Sequence, residues 1–210
     1  MSEVKIVKIA VDAMGGDYAP AEIVKGALRA CEVYPDLQIV LVGQTEKIKK
    51  YIPEEAYKTN LEINEAKDVI EMDEHPATAI KKKPEASIVV ATRLVKEGEA
   101  GALVSAGSTG AQMAAALFGL GRIKGINRPA IGTVLPTLDK GKLLLDAGAN
   151  PDAKPENLLQ YGLMGSIYAE QILKIPNPRV ALLSIGEEET KGNELVRQAY
   201  PLFKEAKFNF

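Results

Sequence analysis

The stretch Leu103-Val104-Ser105-Ala106-Gly107-Ser108-Thr109-Gly110-Ala111 decides how this chain is read. Apolar residues run into it and an Ala/Met/Leu-rich run follows, so it joins a short strand at 102–104 to a helix at 108–120. That helix carries Ala, Met, Leu and Phe nearly all round, which predicts that it is buried. Ser108, Thr109 and Gly110 form its first turn, where backbone amides lack intrahelical partners and the helix dipole is positive. Gly107 and Gly110 let an anion approach the backbone, and Ser105, Ser108 and Thr109 add hydroxyl donors, a setting suited to phosphate. A Ser108 N-cap explains the same residues without a ligand. The stretch alone leaves both readings open.

Outward from it, short Val/Ile/Leu runs alternate with segments of helical period, which predicts a parallel sheet with crossover helices. Strands are expected at 5–11 (KIVKIAV), 37–42 (LQIVLV), 130–136 (AIGTVLP), 142–148 (KLLLDAG) and 179–186 (RVALLSIG), with a weak one at 61–64. The pair at 130–136 and 142–148 fits a hairpin. Helices are expected at 21–34, from Glu46, at 87–96, at 156–173 behind Pro155, and at 188–205. Cys31 falls on the apolar face of the first, a core filler rather than a reactive thiol. We expect one α/β domain over residues 1–210. The final KFNF at 207–210 starts like a strand, so the fold is expected to continue beyond Phe210.

The bulk numbers narrow the class. The 210 residues are 46% apolar and 26% charged, enough for a buried core. Lys+Arg total 26 against Asp+Glu 28, a net charge of -2 that gives no global sign of a nucleic-acid binder. One cysteine excludes an internal disulfide and fits a reducing compartment. Charges interrupt the N-terminal segment where a signal peptide needs an apolar core, and no run of about 18 apolar residues is present. A cytoplasmic protein is expected.

Four polar, glycine-bearing stretches directly follow strands: residues 12–17 (DAMGGD), the opening loop, 146–150 (DAGAN) and 186–193 (GEEETKGN). In an open parallel sheet ligands bind at such strand ends, near the point where strand order reverses. Nucleotide motifs fail: GxxxxGK[ST] is missing, and Lys124 stands where a dinucleotide motif from Gly119 needs its third glycine. The sole histidine, His75, lies among acids and a proline, which argues against a Ser/His/Asp triad or a histidine metal site. The acids at 187–189 suit a helix start without any metal. Lys191 stands near a strand end, where it reaches a phosphate or simply solvent. Lys81, Lys82 and Lys83 read as a helix end or loop, with an acidic partner as the functional alternative.

In this order, the 12–17, 105–111, 128–130, 135–136, 141–142, 146–150, 164–165, 175–183, 185–189 and 191–192 stretches resemble the bacterial phosphate acyltransferase family of phospholipid synthesis, the PlsX family. The resemblance covers essentially the whole chain and departs from the family at Lys81, usually Arg, and at Ala86-Ser87, usually a serine pair. It implies an α/β/α sandwich with a largely parallel sheet, like isocitrate dehydrogenase and phosphotransacetylase. It further implies transfer of a fatty acyl group from acyl carrier protein to inorganic phosphate. The acyl phosphate formed would feed the membrane glycerol-3-phosphate acyltransferase PlsY. A homodimer, peripheral association with the inner face of the cell membrane, and no cofactor or metal are implied with it.

Such chemistry needs no covalent acyl-enzyme, because phosphate is already an anionic nucleophile that must only be held beside the thioester. The expected phosphate contacts are Ser105, Gly107, Ser108, Thr109 and Gly110, with Lys191 as counter-charge. Asn150 and Asn193 are candidate oxyanion donors. Asp12, Gly15, Gly16, Asp17, Asp146 and Gly148 are expected to support them. A coenzyme A-dependent phosphotransacetylase-like enzyme and a non-catalytic phosphate-binding module are the alternatives.

Overall fold

Leu37–Gly43 (β2) explains the first half of the fold. Its residues alternate between two cores: Ile39 and Leu41 face one side, Val40 and Val42 the other, and all four are buried. Such a strand needs cover on both faces, which crossover helices provide. The computed structural model describes residues 7–53, 60–138, 141–186 and 188–210. These fall into two compact units, Met1–Gly121 and Arg122–Phe210.

In the first unit, β2 lies between β1 (Val7–Asp12) and β3 (Leu61–Glu65), and β4 (Ala102–Val104) pairs with the far side of β1. All three pairings are parallel. Helix α1 (Ala21–Val33) covers one face, where Val24 and Ala27 pack with Ile39 and Leu41. Ile48 of α2 (Thr45–Lys49) joins that core. Helix α4 (Ser87–Lys96) covers the other, placing Val90, Ala91 and Leu94 against Ala10, Val40 and Val42. The unit is thus a three-layer α/β/α arrangement on a parallel sheet. Cys31 sits half-buried at the α1 core, and burial pushes its thiol pKa up.

Two features of this unit depart from expectation. Helix α3 (Pro76–Lys82) is a full element where the sequence suggested only a helix end or loop. Helix α5 (Thr109–Gly119) is not buried all round. Ala114 and Ala115 pack with Ile80 of α3 and Ile88 of α4, whereas Phe118 is 52% exposed. Its small residues let α3 and α4 approach closely on one side, while Phe118 and Leu120 at its end remain about half exposed.

The second unit holds the expected hairpin: β5 (Gly132–Leu135) runs antiparallel to β6 (Lys142–Leu145). Helix α6 (Pro155–Gln171), with its proline in the first turn, packs on β6, and α7 (Glu194–Glu205) packs on α6. Residues 179–186, expected as a strand, do not form one. A strand needs a partner along its length, and here Val180 N–H donates to the Asn209 carbonyl at 2.7 Å while Leu183 and Ile185 stand 80% and 88% exposed. Helix α7 starts at Glu194 rather than 188, because Asn193 caps it by accepting from Val196 N–H at 2.9 Å. Among the described residues, no helix is long and apolar enough to cross a membrane.

Candidate active site

From β1 the chain crosses to β2 on one side, and it returns through β4 on the other, so the seam between β1 and β4 is the topological switch point. Register puts Val11 beside Val104. The next residues, Asp12 and Ser105, therefore leave the sheet at the same height. Ser105 Oγ donates to Asp12 Oδ2 at 2.7 Å, and Asp12 Oδ1 accepts from Met14 N–H at 3.3 Å. Asp12 is only 3% exposed, so these donors are what make its burial tolerable.

The two loops interlock. Gly107 N–H donates to Ser105 Oγ at 3.1 Å. A Cβ on Gly15 would lie 2.5 Å from Asp12 Oδ2 and 2.8 Å from Ser105 Oγ, so only glycine fits there. The Ser108 side chain accepts from Ala111 N–H at 3.3 Å and caps α5. Thr109 and Gly110 stand exposed in its first turn. Pro76 Cγ occupies the space a Gly110 side chain would need, only 2.7 Å from its position, so this glycine also serves helix packing. Beneath the loops, Asp12, Ser87, Ser105 and Ser108 border a space of about 10 Å³, room for one water and not for phosphate. Any anion at this turn would sit on its outer side. Gly16 and the exposed Asp17 complete the first loop.

The remaining expected residues lie in the second unit, in two groups. Asp146 follows β6 and organises the loops beside the hairpin. Its Oδ1 accepts from Ile131 N–H at 2.8 Å, and its Oδ2 accepts from the Asn150 backbone N–H at 2.7 Å. The Asn150 amide donates to Pro129 O at 2.9 Å and to Asp146 Oδ2 at 3.1 Å. Both of its hydrogens are engaged. Gly148 lies in the turn between them. Arg128 holds Asp152 through two bonds, 2.7 and 3.1 Å, and this partner keeps the Asp152 carboxyl below its ordinary range.

The second group is Lys191 and Asn193. Lys191 is exposed on a cleft of about 580 Å³ that it shares with Leu183, Ser184, Gly186 and Tyr200. Asn193 uses its carbonyl oxygen for the α7 cap and retains its amide hydrogens for another acceptor. Glu189 pairs with Lys204 and accepts from Tyr200 at 3.0 Å, tying it to α7. Glu187 lies outside the described residues.

Tyr161 was not singled out in the sequence. It is 2% exposed on α6, its hydroxyl has no partner among the described residues, and burial followed by the Asp146 carboxylate pushes its pKa up. A tyrosine among apolar positions of a helix looks like ordinary core, so no sequence signal marked it.

Comparison with known proteins fits this architecture. The EutD phosphotransacetylase from Staphylococcus aureus superposes with a TM-score of 0.66 at 20% identity, over 96% of this chain and 64% of that one. That likeness bears out the expected fold. A phosphate acyltransferase of Desulfitobacterium hafniense (strain DSM 10664 / DCB-2) is 69% identical over 204 residues, 97% of this chain and 61% of that protein. One from Heliobacterium modesticaldum (strain ATCC 51547 / Ice1) is 65% identical over 206 residues, again 97% and 61%. This chain thus spans about three-fifths of the length of these relatives. They bear out the resemblance to the phosphate acyltransferase, or PlsX, family drawn from the motifs. A family model described as fatty acid synthesis protein matches residues 7–210, and the chain belongs to that family.

Proposed function

We propose that this chain is the larger part of an acyltransferase that moves a fatty acyl group from acyl carrier protein to inorganic phosphate. The observation that carries the reading is the Asp12–Ser105 clamp at the β1–β4 switch point, directly before the exposed first turn of α5. In a family of this kind, that turn is a fitting seat for a nucleophilic phosphate.

The hydrogen bonds of these loops support a division of roles within this proposal. Ser105 and the Gly107 amide already hold each other, so they shape the turn. The Thr109 and Gly110 amides and the Ser108 and Thr109 hydroxyls are then the phosphate donors, with Lys191 as counter-charge. Asn193 offers its amide to the developing oxyanion. Asn150, fully engaged, positions the loop that Asp146 organises. A phosphate oxygen forms the new C–O bond at the thioester carbonyl, and the tetrahedral oxyanion collapses with C–S cleavage. The carrier thiolate leaves and is protonated. No covalent acyl-enzyme intervenes.

The acyl phosphate is a reactive mixed anhydride, suited to immediate use by the membrane glycerol-3-phosphate acyltransferase in phospholipid synthesis. A cytoplasmic homodimer close to the inner membrane face belongs to the same proposal. Acyl phosphate formation from acyl carrier protein and from coenzyme A thioesters, measured side by side on this chain and on a full-length protein, tests it. Phosphate-dependent turnover of the carrier thioester by the full-length protein is expected. Turnover of the coenzyme A thioester alone would replace the donor, and none with either would leave a phosphate-binding module.

A further inference from the structure

We propose that the C-terminal ends of α3 and α5 form the docking surface for the acidic carrier protein that presents the acyl thioester. The inference rests on the acyltransferase reading above and adds a surface to it. Lys81-Lys82-Lys83 reads in sequence as one basic run, but the fold divides it. Lys83 turns inward, pairs with Glu74 and donates to the Val69 carbonyl at 2.8 Å. Lys81 and Lys82 are exposed in the last turn of α3 and belong to no ion pair among the described residues. Glu74, the carboxylate that senses Lys82, is already matched by Lys83.

Beside these lysines stands an uncovered apolar end. Lys81 Nζ lies 5.6 Å from the centre of the Phe118 ring. Phe118 and Leu120 are each about half exposed. Helix α5 carries no charged residue, and α3 carries no acid. The dipole of α3 favours two cations in its last turn, yet that leaves the half-exposed ring of the neighbouring helix without a purpose. An aromatic anchor with a cationic rim is instead the anatomy of a protein interface. Its complement is a helix with carboxylates for Lys81 and Lys82 and an apolar side chain for Phe118 and Leu120. An anionic bilayer fits less well, since lipid-binding clusters usually hold about four to eight basic residues.

The test uses the full-length protein with Lys81→Glu/Lys82→Glu and, separately, Phe118→Ala. For each we measure KM and kcat with the acyl-carrier-protein thioester and with an acyl-pantetheine thioester, which has no protein surface. The charge reversal is expected to raise the carrier KM about tenfold and flatten its salt dependence. The phosphate KM and the pantetheine kinetics should stay unchanged. Phe118→Ala should raise the carrier KM without altering the salt slope. Unchanged carrier kinetics in both variants, or equal losses with both donors, would overturn the docking surface. So would variants that lose only binding to anionic vesicles. If the unmodified protein fails to use the carrier thioester at all, it is the acyltransferase reading that falls.

Discussion

Ser105 donates its hydroxyl proton to Asp12 at 2.7 Å, across the seam where two parallel strands end side by side. The pair is 93 residues apart in sequence. It fastens two loops to each other and orients the start of α5 beside them. Removing either partner leaves a buried polar group short of a hydrogen bond.

Asp12→Ala and Ser105→Ala should therefore each lower stability by about 1–3 kcal/mol, the usual cost of a broken buried hydrogen bond. Denaturant unfolding measures this. Gly15→Ala should act on the same pair from outside, because its methyl collides with both side chains. We expect it to abolish phosphate-dependent activity in the full-length protein. Wild-type turnover in that variant would mean that the clamp is not needed for the site.

Thr109→Ala and Lys191→Ala address the proposed phosphate contacts directly. Losing one hydrogen bond or ion contact to a charged ligand costs about 1.5–3 kcal/mol, which is about tenfold or more in affinity. Steady-state kinetics should show the phosphate KM rising by that factor while the carrier KM stays put. An unchanged phosphate KM in both would remove these residues from the site.

Glu74 is held below its ordinary pKa of 4.5, first by the hydrogen bond from Lys83 and then by the Glu71 backbone amide. A depressed carboxylate contributes stability above its unfolded pKa and loses it as pH falls through the folded value. Chemical unfolding between pH 7 and about pH 3 should thus show a downward limb below pH 4.5 that shrinks in Glu74→Gln. An unaltered limb would place the acid sensitivity elsewhere, for example at Glu189, whose pair with Lys204 depresses it similarly.

Tyr161 gives the opposite sign. Burial and the Asp146 carboxylate disfavour its phenolate, so its pKa is raised above the ordinary 10.0. The native state therefore loses stability as pH rises from 10 through the folded value. Its hydroxyl has no described partner, so Tyr161→Phe should be neutral or stabilising by up to about 1 kcal/mol, and less sensitive to alkali. Loss of more than that on substitution would reveal a partner of the hydroxyl.

The sequence made the first unit legible because its signals are local. Residues 39–42 are continuously apolar, and Ser87 through Lys96 repeat with helical period, so both elements appear where expected. Helix α3 escaped notice because seven residues with lysines at the end give almost no period. The 179–186 strand failed for the converse reason: RVALLSIG has the pattern, but a ladder depends on a partner that pattern cannot supply. The exposure of Phe118 was hidden likewise, since composition reports that a helix is apolar without saying how many of its sides meet a neighbour.

In the candidate site, the glycine and hydroxyl loops were visible as motifs, and the fold does bring the 12–17 and 105–110 loops together. What the motifs could not show is which of these groups already have partners. Ser105, Gly107 and Asn150 all look like ligand donors on paper, yet each is engaged by its own loops. Tyr161 stayed hidden because burial without a hydrogen bond leaves no trace in sequence.

The Val11–Val104 register carries a consequence for how this protein tolerates change. Side chains alternate faces along a strand, so one residue inserted into β4 would swing Ser105 away from Asp12 while every residue of both loops remained present. An equal insertion at the exposed turn around Gly98 would leave the pair aligned. Lesions that disable the site without touching it should therefore cluster in the sheet, and length changes accepted in descendants should cluster outside it.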